Sequence, residues 1–244
     1  MKQYAIACMS LLVCTAISAQ QPVKKEGVIT YEEQTDMHRR MPEAQQQYRN
    51  MIPQFQTTRF ELFFSPEESH YKPLAEDDDV STGAGGVKVM MRKPKKETYT
   101  DLLSREVIVR QEFMGKTYLI GDTPSVNPWK FGDEVREIAD YECRMAYYND
   151  TVNGQDITVW FTPLIQPFVG PGQFNTLPGT VLAVDINNGE QVYVAREIKF
   201  RKLRKNEIRK PVKGERVTRE EFRLIMEEQA EKMGGRGGAM RFGH

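Results

Sequence analysis

Few side chains in this sequence could act in catalysis or bind a metal, and they are spread widely along the chain. Its three histidines are His38, His70 and His244, and none has a nucleophile or a second metal ligand at a spacing that local structure would bring together. Neighbouring acids such as Glu67 and Glu68 are typical of a charged surface, whereas a hydrolase needs two carboxylates that meet across a cleft. We therefore assign no catalytic residue and expect no cofactor.

The stretch "MHRRM" holds the densest group of soft metal ligands. It brings Met37, His38 and Met41 together in sequence, and thioether sulfur with imidazole nitrogen is a ligand set that copper accepts. Similar residue types recur in the tail from Met240 to His244. These residues define a candidate soft-metal site, and the alternative interpretation is a partly buried entry to a helix.

Two tryptophans and one turn are the candidates for ligand binding. Trp129 and Trp160 could offer flat platforms for sugar rings, although large aromatic side chains in a β domain more often belong to the core. The turn at Leu177, Pro178 and Gly179 precedes an alternating apolar run. Proline fixes φ and glycine is free to adopt a strained position, so this turn is either a corner that starts a strand or a loop that presents backbone groups. We take Trp129, Trp160, Pro178 and Gly179 as candidate binding residues.

The charge balance bears on the kinds of partner. Lysine plus arginine and aspartate plus glutamate are both 34, so the formal net charge is zero, and nothing favours nucleic acid. Locally, "EDDDV" is acidic and "KFRKLRKNEIRKPVKGER" is strongly basic. Both stretches are typical of solvated surface, and the alternative for the basic one is a strand end that faces anionic glycan or lipid headgroups.

The first twenty residues have the features of a secretory signal. Lys2 supplies a positive start, a short apolar stretch follows, and cleavage after Ser18, Ala19 or Gln20 fits the small residues there. The apolar run is shorter than the roughly 20 residues that a membrane-spanning helix needs. We expect no transmembrane segment, and a protein exported to the periplasm, the outer membrane or the outside. Cys143 then has no disulfide partner and is expected to be a buried apolar residue.

The elements that would position these residues are mostly strands. Alternating runs begin at "EGVITYEEQT" and continue to a hairpin between Thr180–Ile186 and Gln191–Phe200, turned by "NNG". In the second strand of this hairpin we expect Val192 and Ile198 on one face and Tyr193 on the opposite, with one face buried and the other in solvent. The acidic, glycine-rich stretch "AEDDDVSTGAGG" predicts a loop.

Two helices interrupt the strand pattern. Pro42–Met51 predicts a short helix, with the proline where a helix could begin. Near the end, "VTREEFRLIMEEQAEKM" predicts an amphipathic helix. Thr218 and Glu221 have the spacing of a capping box, and Val217 can pack on Phe222 as a hydrophobic staple.

The predicted fold class is mainly β. We expect a curved or partly closed antiparallel sheet with a short N-terminal helix insertion and a C-terminal amphipathic helix. The predicted division of the chain is a signal peptide at 1–20, a single β-rich domain at 21–233 and a disordered glycine-rich tail at 234–244.

The stretch "WFTPLIQPFVGPGQFNTLPGTVLAVD", preceded by "DYECRMA", resembles the GLPGLI family of secreted proteins of Gram-negative bacteria. The matching residues are Trp160, Phe161, Thr162, Pro163, Gly170, Pro171, Leu177, Pro178 and Gly179, with Tyr141, Cys143 and Ala146 upstream. Thr176 stands where the family has its first glycine, Thr180 and Val181 replace Leu and Ile, and Asp140 replaces a glycine. The resemblance implies export, a mainly β domain and no catalytic residue that can be carried over.

The leading functional hypothesis is an exported, non-catalytic binding or accessory module of the cell envelope. Its partner would be another envelope protein, or an apolar or glycan ligand in the concave face of the sheet. One alternative is a soft-metal (copper) handling protein that uses Met37, His38 and Met41. A further alternative is a glycan-processing accessory or hydrolase domain.

Overall fold

The structure is a computed structural model, and it describes residues 25–41, 43–74, 80–82, 88–90, 96–122 and 127–234. The predicted signal peptide and residues 235–244 of the predicted tail lie outside the described residues. The strands are β1 Gly27–Asp36, β2 Phe55–Phe64, β3 Glu68–Pro73, β4 Val80–Thr82, β5 Lys88–Met90, β6 Lys96–Asp101, β7 Val107–Phe113, β8 Lys116–Asp122, β9 Lys130–Ile138, β10 Tyr141–Asp150, β11 Gln155–Thr162, β12 Thr180–Ile186, β13 Gln191–Phe200 and β14 Glu215–Thr218. The helices are a 3₁₀ helix at Glu43–Met51 and the α-helix α1 at Arg219–Gly234.

Twelve of the strands form one sheet in the order β14-β8-β7-β6-β3-β2-β1-β13-β12-β11-β10-β9. Neighbouring strands are antiparallel throughout, except that β14 runs parallel to β8. The sheet has two edges, β14 and β9, and is therefore open. This confirms the predicted class of a mainly β protein built on a curved antiparallel sheet.

Two meanders make up this sheet, and one pairing joins them. Strands β9 to β13 follow each other in chain order, and so do β1, β2, β3, β6, β7 and β8. The pairing of β1 with β13 connects the two halves. The predicted hairpin between β12 and β13 is confirmed, with Asn187, Asn188 and Gly189 at φ values of 54°, 50° and 88°. Asparagine and glycine tolerate these left-handed conformations better than other residues.

The C-terminal helix begins as the sequence predicts. The backbone amide of Thr218 donates to Glu221 Oε2 (2.7 Å), and the amide of Glu221 donates to Thr218 Oγ1 (3.1 Å). Phe222 and Met226 are buried in a cluster on β7 and β8, and Val217 packs against the same cluster. The N-terminal helix is also present, as a 3₁₀ helix that starts one residue after the predicted proline.

The core consists of three apolar clusters along the sheet. One lies where β1, β2 and β3 meet β11 and β12, and it includes Tyr31, Phe64 and Cys143. A second lies on β10 to β12 beneath Phe174 and Leu177 of the connection 163–179. The third is the cluster under α1. Cys143 is fully buried, as expected. Among the described residues, no helix is both long and apolar enough to cross a membrane.

The strands differ from the sequence predictions at three places. The stretch predicted as a loop contains Val80–Thr82, which pairs with β5 and so satisfies its backbone locally. Strand β14 was not foreseen, because four residues before a helix carry no alternation. The register between β1 and β13 shifts, because Thr30 lies opposite Glu197 whereas Tyr31 lies opposite Ala195. Residue 196 of β13 therefore forms a β-bulge. Ile198 therefore shares a face with Tyr193 instead of opposing it.

Candidate functional site

One face of the sheet, here called the inner face, is covered in part by α1 and by the connection 163–179. Phe222 of α1 packs edge-on against Tyr118 of β8, with ring centroids 5.2 Å apart. Asn175 of the connection donates from its side-chain amide to the hydroxyl of Thr100 on β6 (3.4 Å). The opposite face is called the outer face.

A row of polar residues lies on the inner face between these two covers. Glu33 of β1 stands directly opposite Tyr193 of β13, and cross-strand partners share a face. Tyr71 of β3 stands opposite Thr98 of β6, so Lys96, two residues before it, lies on the same face. Lys96 in turn is aligned through Gln111 with Tyr118, beneath α1. We call the group Glu33, Tyr71, Lys96, Gln191 and Tyr193 the inner-face cleft.

A hydrogen-bond network organises one side of the inner-face cleft. The amide nitrogen of Gln191 donates to Glu33 Oε1 (2.5 Å) and to the hydroxyl oxygen of Tyr193 (2.6 Å). Arg40 donates to the amide oxygen of Gln191 (2.6 Å) and pairs with Glu190 (3.1 Å). Arg40 thereby fixes which way the Gln191 amide points. Because both the oxygen and the nitrogen of the Gln191 amide are engaged, the Glu33 carboxyl is held in one orientation.

Burial shifts the pKa values of the charged groups in the inner-face cleft. Burial raises the pKa of Glu33, and the hydrogen bond from Gln191 and the charges of Lys96 and Arg40 oppose that rise only in part. Burial also lowers the pKa of Lys96, and the positive charge of Arg219 lowers it further, against the effect of Glu33. Both shifts have the direction expected when a charge loses water without gaining a full partner.

The hydroxyl of Tyr71 is buried and has no hydrogen-bond partner among the described residues. Its ring is fixed by stacking on Phe60 (centroids 4.8 Å apart) and by an edge contact with Tyr31 (6.0 Å). Burial raises the pKa of Tyr71, and the charge of Glu33 adds to that effect. An unpaired buried hydroxyl costs about 1–3 kcal/mol. The Tyr71 hydroxyl therefore keeps an unused donor and an unused acceptor.

The inner-face cleft is accessible to solvent. Glu33, Lys96 and Tyr193 are deep enough for burial to shift their pKa values, yet each keeps a partly exposed surface. These three groups are thus mostly covered by the fold but still reach solvent. Phe174 lies against Tyr193 at the border of the cleft (centroids 6.2 Å apart), and Arg219 at the start of α1 donates to the side chain of Gln173 (3.4 Å).

This arrangement is suited to binding polar groups. The cleft offers a carboxyl, an amide, an amine and two phenol hydroxyls, which together match hydroxyl-rich ligands. Glu33 is the one carboxyl among its defined members, and the nearby Glu190 is paired with Arg40. Acid–base hydrolysis with two carboxylates has no second acid among these members. Within the described residues, no cluster of three His, Cys, Asp or Glu could hold a metal ion.

Of the residues predicted from sequence to bind a ligand, Trp129 lies on the inner face. Its ring packs edge-on against Tyr148 (centroids 4.6 Å apart), and its indole nitrogen donates to Thr176 Oγ1 (3.3 Å). Tyr148 is aligned across the sheet with Ile157, Ile186 and finally Gln191. Trp129 is partly exposed, so its role as an aromatic platform stays a prediction.

The other predicted binding residues lie apart from the inner-face cleft. Trp160 is buried in the core, and the guanidinium of Arg136 stacks over its ring at 4.0 Å. Pro178 is exposed. Gly179 does not take the strained backbone position that we expected, because its φ is not positive. Its hydrogen is needed for space instead, since a Cβ there would lie 2.5 Å from the ring of Phe161.

The structure places the candidate metal ligands Met37, His38 and Met41 between β1 and the 3₁₀ helix. Nε2 of His38 lies 2.8 Å from the carbonyl oxygen of Ile52, and Nδ1 accepts from Arg49 (3.2 Å). A metal would have to displace one of these contacts. The soft-metal role of the three residues stays a prediction, and the tail from residue 240 to 244 lies outside the described residues.

Sequence reasoning missed all five members of the inner-face cleft. The one available signal was Glu33, which interrupts the apolar positions on the buried face of β1, where Ile29 and Tyr31 are fully buried. Tyr193 was expected on the face opposite Ile198, because the bulge in β13 does not show in the sequence pattern. Lys96 comes from a stretch rich in lysine, where a buried position has no distinctive spacing.

A depression of about 290 Å³ lies at the outer face near the β8–β14 edge. Its lining includes Ile108, Leu119 and Arg216. The carboxylate of Glu221, which also lines it, accepts from Thr218 in the helix cap, and Glu106 pairs with Lys210 (2.6 Å). The acids of this groove are thus engaged within the fold.

These features define a class of protein: an open, curved, mostly antiparallel sheet with a polar cleft on the face that one helix covers. Comparison with protein-family models and with curated proteins finds no match. Two solved structures of PNGF-II, in the P21 and C2 space groups, are similar to this chain. Each has a TM-score of 0.57 and 13% identity over 84% of this chain. The chain spans about a third of PNGF-II (34% and 33%), and the likeness shows the fold.

Proposed function

We propose that this protein is an exported, non-catalytic binding or accessory module of the cell envelope that holds a hydroxyl-rich ligand, such as a glycan, in the inner-face cleft. The observation that carries the proposal is the buried, unpaired hydroxyl of Tyr71 beside an oriented Glu33–Gln191 pair. Sugar hydroxyls both donate and accept hydrogen bonds, so they can satisfy the Tyr71 hydroxyl and the Glu33 carboxyl together.

A further observation supports the proposal. Trp129 and Phe174 place aromatic rings on the same face as the polar groups, and aromatic rings beside hydrogen-bonding groups suit the mixed surface of a sugar. We also propose that the chain belongs to the GLPGLI family. Gly179 then serves at the corner of the signature because a larger residue would contact the ring of Phe161.

The test compares Tyr71→Phe with the wild-type chain. The exported protein is screened on an array of neutral and acidic oligosaccharides, and the tightest ligand is then measured by calorimetry. Because Tyr71→Phe removes one ligand hydrogen bond and breaks none within the described chain, affinity should fall about fivefold. Tyr147→Phe is the matched control, since Tyr147 is exposed (42%) and lies on β10. The proposal is wrong if no oligosaccharide binds, or if both variants bind as the wild type does.

The alternatives make different predictions. A copper-handling protein should compete with a weak chelator for cuprous ion, and should lose that ability in a Met37→Leu, Met41→Leu double variant. A hydrolase domain should cleave the bound oligosaccharide and lose activity in Glu33→Gln. The first outcome would favour metal handling and the second a catalytic domain.

A further inference from the structure

The connection between β13 and β14, residues 201–214, is strongly basic. It contains seven lysine and arginine residues and one glutamate, a net charge of +6. Two of its cations are compensated within the fold, because Arg201 pairs with Glu207 (2.7 Å) and Lys210 pairs with Glu106 (2.6 Å). We call residues 201–214 the basic connection.

Four further cations of the basic connection are exposed, and none of them forms an ion pair within the described part of the chain: Lys202, Lys205, Arg209 and Lys213. The nearest acids along the chain are Glu207, which pairs with Arg201, and Glu215, which stands beside the exposed Arg216. The positive charge of these four side chains is therefore presented to solvent, where it attracts anions.

The basic connection lies on the outer face of the sheet. Nζ of Lys72 on β3 donates to the carbonyl oxygen of Glu207 (2.8 Å) and lies 4.5 Å from the centre of the Phe63 ring on β2. Lys72 follows Tyr71 of the inner face by one residue, so its side chain points to the outer face. The backbone of the connection is thus fixed against the sheet, while its four exposed cations extend away from it.

Val212 is an exposed apolar side chain within the basic connection. It is 70% exposed, and it stands between the buried Pro211 and the exposed Lys213. An apolar side chain among exposed cations is typical of segments that lie on a bilayer, where the cations meet lipid phosphates and the apolar group enters the interface. A soluble polyanion would contact the cations and make no use of Val212. The exposed valine therefore favours a lipid surface over an anionic polysaccharide.

We infer that the basic connection is a docking surface for a bilayer that contains anionic lipids, with its four exposed cations at the lipid phosphates and Val212 at the interface. Each cation near an anionic membrane surface strengthens binding about fivefold. The inner-face cleft lies on the opposite face of the sheet and would point away from the bilayer. The inference goes beyond the proposed function and does not depend on it.

The first experiment measures co-sedimentation of the exported full chain with two kinds of vesicle. One is phosphatidylcholine alone, and the other is phosphatidylcholine mixed with phosphatidylglycerol. We expect at least about tenfold tighter binding to the anionic vesicles, and a loss of that binding as salt is added. Equal binding to both vesicles, or binding to neither, would overturn the inference. Dextran sulfate serves as a soluble polyanion, and binding to it without binding to vesicles would also overturn the inference.

The second experiment assigns the binding to the basic connection. In a Lys205→Glu, Lys213→Glu double variant, affinity for the anionic vesicles should fall at least about tenfold. The matched control is Lys130→Glu, Arg144→Glu, which changes the net charge equally at exposed positions of β9 and β10, at the far edge of the sheet from β14. It should lose less than about twofold. Equal losses would show that net charge determines binding, and would overturn the inference. Thermal unfolding curves confirm that both variants are folded.

A third variant tests the contact at Val212 by gain of affinity. Tryptophan prefers the interface between lipid and water, so Val212→Trp should bind the anionic vesicles at least about threefold more tightly. Binding to dextran sulfate should stay unchanged. If the affinity of Val212→Trp for vesicles equals that of the wild type, the basic connection does not lie on the bilayer. None of these outcomes bears on glycan binding by the inner-face cleft.

Discussion

Lys96 and Glu97 are neighbours on β6, yet they belong to two opposite kinds of charged site. Glu97 points to the outer face, where Oε1 accepts from Arg110 (3.0 Å) and Oε2 lies 3.3 Å from Nε2 of His70. Lys96 points to the inner face, where no described carboxylate pairs with it. Contact with the His70 ring lowers the pKa of Glu97, against the effect of burial. Burial is the largest cause of the lowered pKa of Lys96, and the charge of Arg219 adds to it.

The contrast separates charge that stabilises the fold from charge that folding buries without a full partner. We call His70, Glu97 and Arg110 the outer-face cluster. In it, each oxygen of the carboxylate has a partner within the chain, so ionisation favours the folded state. In the inner-face cleft, ionisation of Glu33 and of Lys96 is disfavoured by folding. Two sites on one strand thus give opposite responses to removal of a charge, and each prediction below tests that difference.

The largest effect is expected in the outer-face cluster. Glu97→Ala should lower the free energy of unfolding at pH 7 by about 2 kcal/mol, because it removes the acceptor of Arg110 and the carboxylate beside the buried His70 ring. Urea denaturation at pH 7 measures this loss. Glu137→Ala on exposed β9 is the control and should change stability by less than about 0.5 kcal/mol. A loss no larger than that of the control would remove the outer-face cluster from the list of stabilising features.

The same variant has a defined pH dependence. The pKa of Glu97 is lowered in the folded state, so its contribution is present above the unfolded pKa of about 4.3 and is lost as the pH falls through the folded value. The difference between wild type and Glu97→Ala should therefore shrink as the pH is lowered below about 4. A constant difference across this range would mean that Glu97 acts by packing instead of charge.

The next largest effect has the opposite sign. Glu33→Gln should raise the free energy of unfolding at pH 7 by about 1 kcal/mol, since it removes a buried charge and keeps the acceptor for Gln191. The pKa of Glu33 is raised in the folded state, so its stabilising effect is full below about pH 4.3 and is lost as the pH rises through the folded value. Denaturation curves at pH 4 and pH 7 should show the advantage of the variant only at pH 7.

A smaller effect is expected from the coupling between the two inner charges. In a double-mutant cycle of Glu33→Gln and Lys96→Met, the interaction energy should be about 0.5 kcal/mol and favourable in the wild type, because each charge partly offsets the effect of burial on the other. Urea denaturation of the four proteins at low salt measures it. Strict additivity would show that the two groups do not sense each other.

The smallest effect on stability is expected for Tyr71→Phe. Its hydroxyl has no partner among the described residues, so the free energy of unfolding should stay within about 0.5 kcal/mol of the wild type or rise slightly. Tyr31→Phe is the contrasting variant, because the hydroxyl of Tyr31 donates to the buried carbonyl oxygen of Val181 (2.6 Å). It should cost about 1 kcal/mol. Equal losses in the two variants would indicate a partner for Tyr71 within the protein.

The sequence predicts the strands and the final helix well, because their signals are local. The capping box of Thr218 and Glu221 and the hairpin turned at Asn187 to Gly189 need only a few adjacent residues, and both are confirmed. The order of strands in the sheet was not predicted. It depends on the pairing of β1 with β13, which local patterns do not encode.

The inner-face cleft could not be predicted for the same reason. Its members come from β1, β3, β6 and β13. In the sheet β1 pairs with β13 and β3 pairs with β6, while β2 separates these two pairs. A lysine, a glutamate and a glutamine in strands are common, and only the register shows that Glu33 stands opposite Tyr193. The tryptophans and soft ligands drew attention because their residue types are rare, which is a weaker guide than position.

The pairing of β1 with β13 determines when the inner-face cleft can form during folding. Glu33 and Gln191, which share a hydrogen bond, are 158 residues apart in sequence. Contacts of such long range form slowly, because a large loop must close before they contribute. The network of Glu33, Gln191 and Tyr193 therefore assembles only after the chain as far as β13 has folded. An intact network is then a sign of complete folding, since a chain interrupted before β13 has Glu33 but neither Gln191 nor Tyr193.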